Sequence, residues 1–241
     1  MATHPKVEDL ARRYPYRLVE YDSTHWSRLS SLRQRALGIM KPLETRSYRT
    51  IVYGSVARGD VSEKSDVDVF IPYVVSSAMI ETTLSESSVK TEGRTLVQAT
   101  PSYAVKAYLN IDDLTSVSFP LIKMRPEELD FYRLAGELTY PQVQGGERVP
   151  GINKQLMLVI PTDSGHREFS LVERLEEAAL VLGVDTGVLR RRSRVLLRRR
   201  EIGRTGVFKS IMISDEESFE EVLTRLAAEN PAVRRRMRSN G

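Results

Sequence analysis

No cysteine occurs among the 241 residues. That excludes disulfides, thiol catalysis and every zinc or iron–sulfur site built on thiolates. Histidine is nearly as scarce: His4, His25 and His166 stand far apart, too scattered for a histidine metal cluster or a serine–histidine triad. Metal chemistry must therefore run on carboxylates. No apolar run approaches the roughly 18–20 residues that cross a bilayer, so neither a transmembrane helix nor a membrane partner is expected. The stretch 1–21 lacks a continuous apolar segment and carries acids, fitting neither a secretory signal nor a transit peptide; the expected location is cytoplasmic. Lysine is rare beside arginine, 8 against 28, and Asn and Gln are few, which suits a heat-adapted, reducing origin. What remains, 41% hydrophobic and 28% charged residues, is the make-up of a globular protein long enough for one large domain or a domain plus an appendage.

The net charge of +4 is unevenly spread. Residues 1–168 carry 21 basic and 21 acidic side chains, whereas 169–241 carry 15 and 11. Within 186–206, eight arginines face one acid, Glu201, which points to a polyanionic partner for the C-terminal part. The pattern of elements changes at the same place. Helical spacing after a Ser23 cap (Trp26, Leu29, Leu32, Ala36, Leu37) predicts a helix ended by Lys41-Pro42. Strands are predicted at Thr50–Tyr53, Val67–Ile71, Thr95–Thr100, Ala104–Ile111, Thr115–Lys123 and Gln155–Ile160, with helices at Ser76–Leu84 and Arg125–Ala135. After about Phe169 the reading is helical: Leu171–Leu182, then Thr186–Ile202. A glycine-bearing hairpin, Gly203–Gly206, leads into a strand at Val207–Ile213. A last helix is capped by Ser214 and Glu217 and stopped by Asn230-Pro231. The expected boundary lies near 165–170, giving domains 1–168 and 169–241.

Chemistry concentrates in Tyr53-Gly54-Ser55-Val56-Ala57-Arg58-Gly59-Asp60 and Ser65-Asp66-Val67-Asp68-Val69-Phe70-Ile71. On a strand, residues i and i+2 share a face about 6–7 Å apart, so Asp66 and Asp68 repel unless a cation lies between them. Hard carboxylate oxygens suit Mg²⁺ completed by substrate phosphates, and a pair of such ions can activate a nucleophile and stabilise leaving pyrophosphate. Gly54-Ser55 lets backbone amides approach a phosphate. A helical turn at Val56–Gly59 would aim its N-terminus at the same anion, with Arg58 within reach as a phosphate ligand or as a salt-bridge partner of Asp60 or Glu63.

Gly-Ser, ten intervening residues and Asp-x-Asp on a strand resemble the DNA polymerase β-like nucleotidyltransferase superfamily, in particular its small archaeal-type proteins. The resemblance implies an α+β fold, a mixed sheet with flanking helices, over about 35–125. It implies that Asp66 and Asp68 hold Mg²⁺ or Mn²⁺, that Gly54 and Ser55 bind an NTP, and that an NMP moves onto an acceptor hydroxyl. The superfamily adds a third carboxylate from a later strand, the expected general base. Here that strand, Thr115–Pro120, shows serines, and alternation makes Asp113 the preferred third acid. Lys154 and His166 are read as loop surface, Asp60 and Glu63 as solvated loop acids.

The second part reads as a helix-turn-helix followed by a wing, a small, mainly helical winged-helix-like domain. Ala179 permits close crossing and Gly183 the turn. Val188, Val195 and Ile202 with Leu189 and Leu196 form the apolar stripe. Arg190, Arg191, Arg194 and Arg198 fall away from it, as on a helix contacting RNA or DNA, through phosphates more than bases. Arg234–Arg238 is expected as a disordered cationic tail. Two competing readings are a nucleic-acid-binding regulator with a degenerate transferase domain, and a transferase acting on a protein or small molecule.

Overall fold

A computed structural model of the chain describes residues 16–202 and 206–238, the side chains of 199–202 excepted. Eleven strands lie among the described residues: β1 Arg17–Glu20, β2 Ile51–Tyr53, β3 Val67–Phe70, β4 Gly93–Gln98, β5 Val105–Asp112, β6 Thr115–Pro120, β7 Glu137–Thr139, β8 Gly151–Ile152, β9 Met157–Thr162, β10 Gly165–Ser170 and β11 Lys209–Met212. The helices are α1 Ser23–Thr45, α2 Ser55–Arg58, α3 Ser77–Glu86, α4 Pro126–Ala135, α5 Tyr140–Gln144, α6 Leu175–Leu182, α7 Thr186–Ile202, α8 Phe219–Glu229 and α9 Pro231–Arg238. No helix among the described residues is long and apolar enough to cross a membrane.

A seven-stranded mixed sheet runs β11-β4-β5-β6-β3-β2-β7 and a four-stranded antiparallel sheet runs β1-β10-β9-β8. In the large sheet only β3 and β6 are parallel, with Asp68 opposite Ser116 and Phe70 opposite Ser118. Period-two alternation sorts β3 into two faces. Val67 and Val69 join Val117, Phe119, Ala107 and Leu109 in the main core, under α1, α3 and α8. Asp68 and Phe70 point the other way, where α4 covers Ile51 and Phe70 with Tyr132, whose ring stacks on Phe70 at 4.0 Å. A further core of Leu134, Leu158, Phe169, Ala178, Leu189 and Leu196 joins the small sheet to α4, α6 and α7. The mixed α+β architecture with flanking helices agrees with expectation.

Several boundaries differ, each for a local reason. Helix α1 is capped by Asp22, whose carboxylate accepts from His25 N at 2.7 Å, and it runs through Pro42 because Met40 and Leu43 are fully buried. The chain repeats Ser-x-x-Glu, and the copy that caps α8 is Ser218 with Glu221, next to the buried Phe219; Ser214 bonds Glu217 at 3.1 Å in the preceding turn. The expected apolar stripe of α7 is also redrawn. Leu189, Ser193 and Leu196 are buried, whereas Val195 is exposed.

A winged arrangement is not seen among the described residues. Strand β11 pairs antiparallel with β4 as the edge of the large sheet, because Ile213 and the α8 stripe of Phe219, Val222, Leu223 and Leu226 bury in its core. Gly203, Arg204 and Thr205 of the expected hairpin lie outside the described residues, as does His4. Arg234–Arg238, expected as a disordered tail, forms α9, held by buried Val233 and by Arg236, which bonds Glu128 at 2.8 Å.

Candidate active site

Gly54 ends β2 and caps the one-turn helix α2 with φ +80°, a left-handed conformation that charges any other residue a strain penalty. A Cβ built there meets no heavy atom within 4 Å, so backbone geometry, not crowding, requires glycine. Its N–H is committed to Gly136 O at 2.9 Å, and its carbonyl accepts from Ala57 N and Arg58 N. Ser55 Oγ donates to Ser65 Oγ at 3.0 Å, and Ser65 Oγ also accepts from Ser62 N at 2.9 Å. This buried serine, the residue before Asp66 and not singled out in the sequence, ties the turn to the entry of β3.

Asp66 immediately precedes β3 and Asp68 is its second residue. Asp66 is half exposed and lies 3.8 Å from Lys154 Nζ. Asp68 accepts from Ser116 Oγ at 2.7 Å. Burial pushes the Asp68 carboxyl above the usual carboxylate range and the Asp66 charge adds to this, against the Ser116 hydrogen bond and the Lys154 and Lys106 charges. Lys154, read as loop surface, is therefore brought to the carboxylates from the turn between β8 and β9. Nothing in local spacing gave that contact.

Four expectations, for Asp113, Arg58, Asp60 and His166, are revised or decided. Asp113 lies exposed in the turn after β5, and among the described residues no group of three acidic or histidine side chains is placed to hold a metal. At the register position beside Asp68 stands Ser116, because β6 joins in parallel and its pairing carries the β5–β6 turn beyond the pair. Arg58 is buried. Its guanidinium grips Asp60 at 2.9 and 3.0 Å and donates to Ala135 O at 2.6 Å, so it holds the loop after α2 and Asp60 is no solvated acid. His166 is buried in β10, with Nδ1 2.7 Å from Tyr21 Oη and Nε2 3.6 Å from Glu168; burial draws its pKa down, against the nearby Asp60 and Glu168 charges.

Asp68 belongs to a cross-strand row. Asn110 pairs with Ser116 on one side, and one step beyond the Val52–Val69 pair on the other lies Tyr53, itself paired with Glu137. Burial lifts the Tyr53 phenol well above its ordinary value, and the Asp68 charge lifts it further. Next to this row a cleft of about 380 Å³ opens between the sheet, α4 and α7. Tyr53, Tyr108 and Lys106 form its floor, Phe131 and Tyr132 one wall, Arg191 part of the other. Arg190, Arg191, Arg194 and Arg198 are all exposed on α7.

Within this frame, residues 33–93 match the family model described as a nucleotidyltransferase domain. No curated protein and no solved structure matches the chain. The matched segment runs from Arg33 of α1 to the first residue of β4 and holds Gly54, Ser55, Asp66 and Asp68, which supports a nucleotidyltransferase domain in this part of the chain.

Proposed function

We propose that the protein transfers a nucleoside monophosphate from an NTP to an acceptor oxygen and releases pyrophosphate. The observation that carries this reading is the Ser55–Ser65 hydrogen bond, which ties the Gly54-Ser55 turn to the residue preceding Asp66-Val67-Asp68, inside the segment similar to a nucleotidyltransferase domain. The donor set fits Mg²⁺ or Mn²⁺: hard oxygens only, with Asp66 half exposed and a lysine ammonium already drawn to it. When bound, such an ion neutralises the triphosphate and the departing pyrophosphate. The chain's own residues supply position. Gly54 allows close backbone approach, the Ser55 hydroxyl is held at the mouth of the turn by Ser65, and Lys154 sits within reach of the same phosphates. The exposed guanidinium groups of Arg190, Arg191, Arg194 and Arg198 would draw in RNA or DNA through its backbone.

Calorimetric titration with each NTP and Mg²⁺, beside a label-transfer assay on a mixed acceptor pool, tests the reading. Wild type is expected to bind and transfer, and Asp68→Ala to do neither at a measurable rate; full activity in Asp68→Ala rejects it. Ser116, in the place of a third acid, favours one second reading, a nucleotide-binding regulator that does not turn over. Binding with no transfer to any member of the pool would select it.

A further inference from the structure

Transfer to an alcohol requires something to take the hydroxyl proton as the α-phosphorus is attacked. The group in register beside Asp68 is Ser116, and it donates to Asp68, so it cannot serve. The carboxylate at the far end of the row, Glu137, lies beyond Tyr53, two strands or about 10 Å from Asp68 by sheet spacing. The neighbouring cleft is lined by as many cations (Lys106, Arg191, Arg192) as acids, but two of those acids have cations of their own. Half-buried Lys106 sits among aromatic rings, its Nζ 3.1 Å from Tyr132 Oη and 5.3 Å from the Tyr108 ring centre. It has no carboxylate partner among the described ion pairs, although its charge is felt at Asp68. Arg191 lies on the opposite wall.

Three acids also border the space. Glu128 is consumed by Arg236 and the backbone N–H groups of Ala104 and Arg125, and Asp130 faces Arg133 at 4.0 Å. Glu127 remains, against Lys106 and Arg191.

We propose that the acceptor is a phosphomonoester, seated in this cleft with its phosphate toward Lys106 and its body against the aromatic wall. The inference rests on the nucleotidyl-transfer reading above. A phosphomonoester is largely dianionic at neutral pH, its second pKa being about 6, so it brings an ionised nucleophile and needs no base. One of its oxygens bonds to the α-phosphorus of the NTP. The bond from that phosphorus to the α,β-bridging oxygen breaks, its electron pair leaves with pyrophosphate, and no proton moves. The product is a new phosphoanhydride. An alcohol in the same place would keep its proton and leave the Lys106 charge uncompensated.

The test offers the full chain, with Mg²⁺ and α-labelled NTPs, two matched pairs of acceptors: an oligoribonucleotide with a 5′-phosphate or a 5′-hydroxyl, its 3′ end blocked, and glucose 1-phosphate or glucose. Phosphatase-resistant label is expected on a phosphorylated member at least about 100-fold faster than on its hydroxyl counterpart, the low end of what a general base supplies. Which pair is labelled tells a polymer end from a small sugar phosphate. Arg191→Ala and Lys106→Met are each expected to raise KM for the phosphorylated acceptor by about tenfold, the worth of one hydrogen bond to a charged group, with KM for the NTP unchanged. Equal or faster labelling of a hydroxyl member overturns the proposal, as does indifference of both variants. Calorimetry on the same sample separates the failures. NTP binding with every arm unlabelled overturns the phosphate acceptor alone, whereas no NTP binding at all removes the nucleotidyl-transfer reading with it.

Discussion

Burial and the neighbouring Asp66 charge hold the Asp68 carboxyl above the usual carboxylate range, so the folded chain keeps this proton more tightly than the unfolded chain does. Stability then falls as pH rises from the ordinary carboxylate pKa through the raised folded value, and the loss is complete only above that folded value. Asp68→Asn removes the buried charge and keeps an acceptor for Ser116 Oγ. At pH 7 its Tm is expected to rise, by about 2–4 °C for each kcal/mol regained in a chain of this size, while nucleotidyl transfer falls at least about 1000-fold. Scanning fluorimetry beside the transfer assay checks both, and an unchanged Tm at pH 7 with a normal pH profile would contradict the burial argument. Arg58 predicts the opposite pairing. Its bidentate grip on Asp60 and its bond to Ala135 O make Arg58→Ala a loss of about 3–5 kcal/mol, the usual result of stripping one member from a buried ion pair. Arg58→Lys should recover little, because a point ammonium cannot reproduce the fork. Urea denaturation measures both, and a variant that is stable yet binds NTP poorly would restore Arg58 to the phosphate site.

Helix α7 turns different residues to different tasks. Leu189 and Leu196 face the core shared with the small sheet, so Leu189→Ala should cost about 2–5 kcal/mol. The exposed Arg190, Arg194 and Arg198 should change stability by no more than about 0.5 kcal/mol on replacement by alanine. If they contact a single strand, the triple variant lowers the slope of log affinity against log salt by about 0.7 per arginine, as read by fluorescence anisotropy. Sequence pattern located α7 well and assigned its stripe poorly, for a physical reason. A period of 3.6 identifies an apolar side but not which neighbour it meets, and Val195 borders the cleft instead of the core. The same limit governs the site. Gly54-Ser55 and Asp66-x-Asp68 could be singled out because the pattern is local, a turn and two acids at the entry to one strand. Ser116, Lys154 and Lys106 could not be, because the pairing of β3 with β6 and of β6 with β5, and the return of the β8–β9 turn, join residues 38 to 88 positions apart. Arg58 was ambiguous in sequence, since Asp60 and a phosphate are equally near along the chain.

On the scale of the whole molecule, the change to helical character near Phe169 does not set the following residues apart from the first sheet. Strand β11 closes the sheet edge at β4, and α8 and α9 supply Phe219, Val222, Leu223, Leu226 and Val233 to the main core. A chain ending at residue 202 should therefore lack a cooperative thermal transition and expose the edge of β4, with aggregation on purification; a sharp unfolding transition in that fragment would refute this. The link between Arg236 and Glu128 has a temporal corollary. Glu128 lies on the helix that walls the cleft, and its cation is encoded 108 residues later. Until residue 236 has been made, that carboxylate has only the backbone N–H groups of Ala104 and Arg125 to meet. The ion pair across this wall therefore closes only after every strand of both sheets has been synthesised.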